Sequence, residues 1–470
     1  MLRVLFTLTL FSLAPTFAVA AGLRAGAAAV DITPVEWPIR VIGNFGVTMA
    51  ASAHDPLHAR AIVLDDGLTR IAIVLVDSCF VKREEMDRIK VLAAKRTGIP
   101  SQRILLSATH SHSAPPSRAA DGNEIEQRYV ERLVTQTAEA IAQANARLAP
   151  ARIGWAVVPV PDELFNRRWF MRDGAIPPSP FGETTDRARM NPPAGSNDLV
   201  HPAGGTDPGF SIVAIQTLAG KPLALLGNYS LHYVGGVPGP EVSSDYFGEF
   251  SRLVAQRLAP GDASFVAMLT NGTSGDVNNI DFVHPRPRAE PYQRIGVVAG
   301  KLAGHAIEAA GAILYSAEAP IRMAERELRL RFRKPTPEQL RFARAALEEK
   351  DESKLPRNAK AYAERAINLL EGPEFADLRL QALRVGELGI TAIPCEVFTE
   401  IGLAIKELSP FRPTFTIELA NGHYGYLPTP RHFDLGGYET WLGTNNLERE
   451  ASAKITRTLL DLLGQVQAAR

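Results

Sequence analysis

The sequence has 470 residues, and its 51 Lys and Arg side chains balance 51 Asp and Glu, which leaves no basic excess for a nucleic acid. At 46% hydrophobic and 22% charged, the composition excludes a disordered or low-complexity chain and provides for a large buried core. Length alone is compatible with two or three domains or with one large α/β domain.

The first element is an address. Arg3 precedes the apolar run Val4 to Leu13, Pro15 breaks it, and Ala18-Val19-Ala20 forms a small-x-small cleavage site, so residues 1–20 are expected to be a secretory signal peptide. The run is shorter than the roughly 20 residues that cross a bilayer, and no later segment is long and apolar enough. The expectation is an exported protein, secreted or periplasmic, in which residues 21–470 form a single catalytic domain. Two cysteines, Cys79 and Cys395, are too few for a disulfide scaffold or a cysteine-based zinc site; whether they pair with each other stays open.

Short apolar runs follow, and they read as buried strands. Arg60 to Leu64 turns through Asp65-Asp66-Gly67 into Arg70 to Val76, a hairpin signal. A helix with Met86, Ile89 and Ala93 on one face is closed by Gly98 and Pro100, and Ile104-Leu105-Leu106 returns as a strand, which together predict a βαβ unit. Downstream, Pro222 to Leu226 leads to Asn228 and His232, and Phe265 to Leu269 leads to Asn271 through Asp276. Gly389 to Ile393 leads to Glu396, and Phe415 to Leu419 leads to Asn421 through Tyr426. Polar residues thus recur just past the carboxyl ends of strands, the edge where α/β sheets bind ligands. Met171 to Asp207, rich in Pro, Gly, Asn and Asp, is expected to be a long loop or insertion. Residues 336–371 read as a helical insert: Thr336-Pro337 starts a helix, Leu340, Ala343 and Leu347 share a face, and Pro356 separates a second helix. The whole predicts an α/β fold with a mixed central β-sheet flanked by helices.

Chemistry concentrates in Thr109-His110-Ser111-His112-Ser113. If the backbone after the strand is still extended, His110 and His112 point to the same side. Two converging imidazoles are costly unless something binds them, and zinc suits imidazole nitrogen in an exported protein. Alone, His-x-His fits surface histidines equally well. His232 and Glu396, each just past another strand, complete the mixed His and carboxylate set of a catalytic zinc that leaves room for water.

Thr109 to Pro115 resembles the THTHSGP motif of the neutral, non-lysosomal ceramidase family. Further stretches resemble that family in the same order: Gly26 to Pro34, Leu57 to Ala61, Asn166-Arg167, Ser243-Ser244-Asp245, Gly275-Asp276-Val277, Pro394-Cys395-Glu396 and Asn421 to Thr429. The resemblance covers nearly all of the chain after residue 20, as the enzyme domain without the family's C-terminal β-sandwich. It implies a single zinc ion held by His110, His232, Glu396 and Tyr426 with a water as further ligand. It also implies a second tyrosine twelve positions on, which falls on Tyr438. His112, Arg167 and Tyr438 would polarise the scissile carbonyl and hold its oxyanion. The reaction implied is hydrolysis of the amide bond of ceramide or another N-acyl compound, a small molecule or lipid. One position departs from the pattern: where the family has a serine implicated in catalysis, this chain has Asn278, which can donate a hydrogen bond but is no nucleophile.

Two other readings compete. A family member that binds a lipid or glycan at the zinc pocket without turning it over is motivated by Asn278. A two-metal phosphoesterase would need an Asp-x-His start and an Asn-His-Asp/Glu motif, and the sequence has neither.

Overall fold

The computed structural model describes residues 22–43, 46–239 and 241–469; the signal peptide expected over residues 1–20 lies outside the described residues. Strands β1 (Arg24–Asp31), β2 (His58–Asp65), β3 (Arg70–Val76) and β4 (Ile104–Ala108) make one half of an eight-stranded sheet. The other half is β5 (Ala149–Pro159), β6 (Gly209–Thr217), β7 (Pro222–Tyr229) and β8 (Val266–Asn271). The strand order is β8-β7-β6-β5-β1-β2-β3-β4. The outermost pairs, β3 with β4 and β7 with β8, are parallel; the other pairs are antiparallel. β1 and β5 pair only through Arg24↔Pro150 and Ala25↔Ala149, so the two halves meet at a corner.

The predicted hairpin and βαβ unit are both present. Asp65 Oδ1 accepts the Gly67 N–H at 2.8 Å, Asp66 Oδ1 accepts those of Leu68 and Thr69, and Gly67 takes φ +86°, which fixes the turn between β2 and β3. Helix α1 (Arg83–Thr97) then carries the chain to β4, burying Met86, Ile89 and Ala93 and ending at Gly98 with φ +73°. In β3, both faces are apolar because both are covered. Ala72, Val74 and Val76 pack beneath α1 and α2 (Glu124–Ala146), while Ile71, Ile73 and Leu75 face inward. Each of the larger residues contributes about 1.5–3 kcal/mol by leaving water.

Helices α3 (Asp245–Leu258) and α4 (Gln293–Ala312) cover the outer face of the second half. The inner faces of both halves close on a second sheet, β9 (Ile321–Arg331), β10 (Phe375–Val385), β11 (Leu388–Ala392) and β12 (Thr414–Ile417), through Ile321, Leu383, Ile390, Phe415 and Ile417. β11 and β12 are parallel. Between β9 and β10 stand α5 (Pro337–Glu348) and α6 (Ala359–Glu371), the expected helical insert, started by a capping box of Thr336 and Gln339. α7 (Thr399–Leu408) and α9 (Ala451–Ala468) cover the outside of this sheet, and α8 (Pro430–Leu435) lies between them in sequence.

Two expectations are corrected, and the open question of the cysteines is answered. Residues 171–207 do not run as an unstructured loop: the spans Arg168–Met171, Ala188–Met190 and Leu199–Pro202 form a small antiparallel sheet, because the segment can close backbone hydrogen bonds on itself. In α5 the buried face is Ala343 and Ala346, and Leu347 stays exposed, since α6 approaches closely enough to admit only small side chains. Cys79 and Cys395 are both free thiols, the first beside His110 and the second in the core under α7 and α9.

Candidate metal centre

The segments following β3, β4, β7, β8, β11 and β12 meet at one place, although they come from two sheets. His110 sits past the end of β4 at φ +78°, a conformation rare for a residue with a side chain. Its N–H donates to Ser78 O at 2.9 Å, which locks that turn onto the loop after β3. The premise of extended backbone at His110 is therefore wrong, yet the convergence it predicted occurs. The turn, rather than strand alternation, brings the His112 ring to 4.6 Å from that of His110, edge to face. His112 is held against the stacked ring of Tyr233 at 3.7 Å. Gly43 faces it from the other side, where a Cβ would lie 2.6 Å from His112 Cγ.

Glu396 and Tyr426 are register partners in a two-residue parallel ladder, Glu396–Val397 with Tyr426–Leu427, so they project side by side. The ladder is pinned from beneath by Gly275, whose Cβ would come within 2.7 Å of the Glu396 carbonyl oxygen.

At the centre, hydrogen-bond acceptors face acceptors. His110 Nδ1 lies 2.8 Å from the Cys79 carbonyl and His232 Nδ1 lies 3.2 Å from the Ser274 carbonyl, so both Nδ1 atoms must carry the proton. The two Nε2 lone pairs then point at each other across 2.9 Å. His112 Nε2 is 3.2 Å from His110 Nε2. Glu396 Oε2 is 3.4 Å and 3.8 Å from the two Nε2 atoms of His110 and His232, and it is buried without a hydrogen-bond partner. Its other oxygen accepts from His423 Nε2 at 3.0 Å. Such an arrangement is stable only around a positive charge.

The protonation energetics say the same. Burial works against charge on every one of these groups. Nevertheless, Cys79 and Glu396 beside it hold His110 well above the usual histidine range, and His110 in turn holds Glu396 well below the carboxylate range. Burial and the neighbouring charge on His110 hold His112 and His232 well below the usual histidine range. In the metal-free chain a proton on His110 takes the place of the cation. Cys79, His110 and His112 also cluster, but the thiol lies on the Nδ1 side of His110 at 3.7 Å, and Nδ1 is committed to a carbonyl. The donor set that fits a divalent ion is His110, His232 and Glu396, whose ligand atoms lie within 4.8 Å of one another.

Tyr426 stands against this set. Its hydroxyl lies beside the Glu396 carboxylate and the Arg167 guanidinium, and its ring stacks 6.4 Å from that of His232. Tyr438 packs edge-on against Tyr426 at 5.7 Å. Arg167 is buried: Nε donates to Glu439 Oε1 at 3.0 Å, Nη2 to the Gly275 carbonyl at 2.9 Å, and the guanidinium lies over the Tyr426 ring. Asn278 pairs with Phe165 in a two-residue antiparallel ladder. Its Nδ2 donates to Asn191 Oδ1 at 2.7 Å and its Oδ1 accepts from the Ile280 N–H, so it ties the Ala188–Met190 strand's flank to the loop after β8.

The centre opens into a cleft of about 360 Å³, with His110, His112, Glu396, Tyr426 and Tyr438 in its wall. Neither Arg167 nor Asn278 is among the lining residues. Four participants were not singled out from the sequence: Cys79, Tyr233, His423 and Glu418. Glu418 accepts from Ser274 Oγ at 2.6 Å and from the Val397 N–H at 2.6 Å, supporting the loop that orients His232. A carboxylate inside the apolar run Phe415 to Leu419 was the available signal for it.

No family model and no curated protein matches the sequence. Among solved structures, a ceramidase complexed with C2 superposes with a TM-score of 0.71 at 17% identity, covering 95% of this chain and 75% of the other. A neutral ceramidase from Pseudomonas aeruginosa superposes at 0.67 and 18% identity, covering 94% and 74%. The chain has the fold of these enzymes, a mixed α/β architecture with its large sheet flanked by helices.

Proposed function

We propose that the protein is an exported zinc-dependent amidohydrolase that cleaves the amide bond of ceramide or another N-acyl compound. One observation carries the reading: the Nε2 atoms of His110 and His232 and the partnerless Glu396 Oε2 converge, buried, where His110 and Glu396 line an open cleft. The shared fold of two ceramidase structures supports the choice of amide chemistry. The export reading rests on the sequence of residues 1–20.

His110, His232, Glu396 and Tyr426 would hold one zinc ion, which would supply Lewis acidity and a water acidic enough to react near neutral pH. The chain's own groups do the rest. His423 fixes the second oxygen of Glu396, and the Cys79 and Ser274 carbonyls fix the ring orientation of the two histidines. Burial holds the Tyr438 phenol above its usual range, so it remains a proton donor at neutral pH and faces the position where charge develops on the scissile carbonyl oxygen. One such donor is worth about 3 kcal/mol of transition-state stabilisation. His112 stays a neutral imidazole and lines the same wall. Arg167 acts through Tyr426, since two of its donors are committed to Glu439 and Gly275. Asn278 supports the neighbouring loop and does not reach the cleft.

The cleft wall is more polar than apolar, which suits the amide head of an N-acyl compound with its chain directed outward. Metal analysis of purified protein together with fatty-acid release from a panel of N-acyl amides tests the proposal. One zinc per chain with release is expected. Two metals per chain, or binding of the amides without release by zinc-loaded protein, would overturn it.

A further inference from the structure

Lys82 occupies the turn between β3 and α1, just before the first residue of the helix. Its ammonium lies over the face of Phe80, 4.7 Å from the ring centroid, and Phe80 is stacked at 4.2 Å on His423, the residue that holds Glu396. The ammonium is therefore two rings away from the metal-site carboxylate, in the wall of the same cleft. Among the described residues its Nζ has no hydrogen bond and no ion pair; its backbone N–H donates to Ser117 Oγ and its carbonyl accepts from the Met86 N–H.

The acids beside it on α1 offset its charge only in part and form no ion pair with it. Arg118 takes both: Glu84 at 2.5 Å and Glu85 at 3.6 Å. Burial, reinforced by the Arg118 guanidinium, draws the Lys82 amine below its ordinary range despite Glu84 and Glu85. A second cation, Arg365 from α6, lines the cleft, with its guanidinium over Tyr362. Against these two, Glu396 is the one carboxylate among the described lining residues, and it belongs to the metal set. With the Lys82 ammonium in its wall and free of any ion pair, the cleft attracts an anion and rejects a second cation.

We propose that the compound bound here carries an anionic oxygen group, a carboxylate or a phosphate monoester, which pairs with Lys82 while its amide lies over the metal centre, Arg365 adding to the attraction. The turnover of such a compound rests on the amidohydrolase reading; its binding does not.

The test uses zinc-loaded protein and three probes with one acyl chain: N-octanoylglycine, N-octanoyl-O-phosphoethanolamine and the neutral N-octanoylglycinamide. Calorimetric Kd values are measured for the wild type, Lys82→Gln, Lys82→Arg and Arg365→Gln, and octanoate release is followed in parallel. At least one anionic probe is expected to bind about tenfold or more tightly than the neutral one, and the better of the two identifies the group. Lys82→Gln should reduce that ratio severalfold, Lys82→Arg should retain most of it, and the loss should appear in KM rather than kcat. Equal affinities in the wild type, no binding of either anion, or a ratio lost in Arg365→Gln but kept in Lys82→Gln would overturn it. Anion preference without octanoate release would leave this inference standing and remove the amidohydrolase; release indifferent to charge would do the reverse.

Discussion

Two buried polar clusters flank the loop after β8, and they are built on opposite principles. In the first, donors and acceptors match: Asp276 Oδ1 accepts from the N–H and the hydroxyl of Thr399, its Oδ2 accepts from Asn166, and Asn278 is satisfied by Asn191 and Ile280. In the second, at His110, His232 and Glu396, acceptor faces acceptor. Both are about equally removed from water, so burial alone does not mark a functional site. What distinguishes them is whether the polar atoms are complete without a ligand. The matched cluster is architecture, and the mismatched one leaves lone pairs that a cation, or a proton on His110, can satisfy.

Substitutions that treat the two clusters alike should therefore separate them, beginning with the largest effect. Glu396→Ala should remove zinc and lower amide hydrolysis by at least about a thousandfold, several kcal/mol of lost stabilisation, while the metal-free chain loses stability at neutral pH because His110 and His423 lose the carboxylate paired with them. Metal analysis and kinetics read the first part, and a variant retaining full zinc would refute the ligand assignment. Asp276→Ala should leave zinc at one per chain but cost at least about 2 kcal/mol of stability through the donors it strands. A denaturant titration measures this. His423→Ala should weaken zinc affinity by about 10 to 100-fold without abolishing it, as loss of a group that orients a ligand does; competition with a chelator would show it, and unchanged affinity would detach His423 from the centre.

The next effect is one of pH. Burial pushes the Glu418 carboxyl up to about 8 from an ordinary 4.5, so the folded chain holds that proton more tightly than the unfolded one. The stability it contributes is complete below about pH 4.5, declines as pH rises through the window to about 8, and changes no further above it. Glu418→Gln should flatten the stability of the metal-free protein across that window, and an unchanged slope would rule Glu418 out as its source. The smallest effect is expected of Asn278→Ala: less than about 1 kcal/mol in stability, with zinc content and kcat close to wild type. A large loss of kcat would place Asn278 in the reaction after all.

Much of the frame was legible beforehand because its causes are local. The Asp-Asp-Gly bend, the helix ended by Gly98, the parallel return into β4 and the Thr336 cap are each decided by a few neighbouring residues. His110, His232 and Glu396 were visible as polar residues past apolar runs, and their meeting bears out the rule that ligands gather at strand carboxyl ends. Tyr426 and Tyr438 came only with a motif register. His423, Tyr233 and Lys82 escaped notice because their significance lies in ring stacks between segments hundreds of residues apart in the case of Phe80 and His423.

The sequence by itself determined the elements, their apolar faces and the chemistry of the side chains set at their ends, since propensity, turn geometry and burial pattern act over short distances. Only the tertiary structure decided which of those ends meet. The corner between β1 and β5, the parallel register of Glu396 with Tyr426 and the left-handed turn at His110 are outcomes of sheet pairing across the whole chain, and they turn separate polar residues into a centre whose lone pairs face one another.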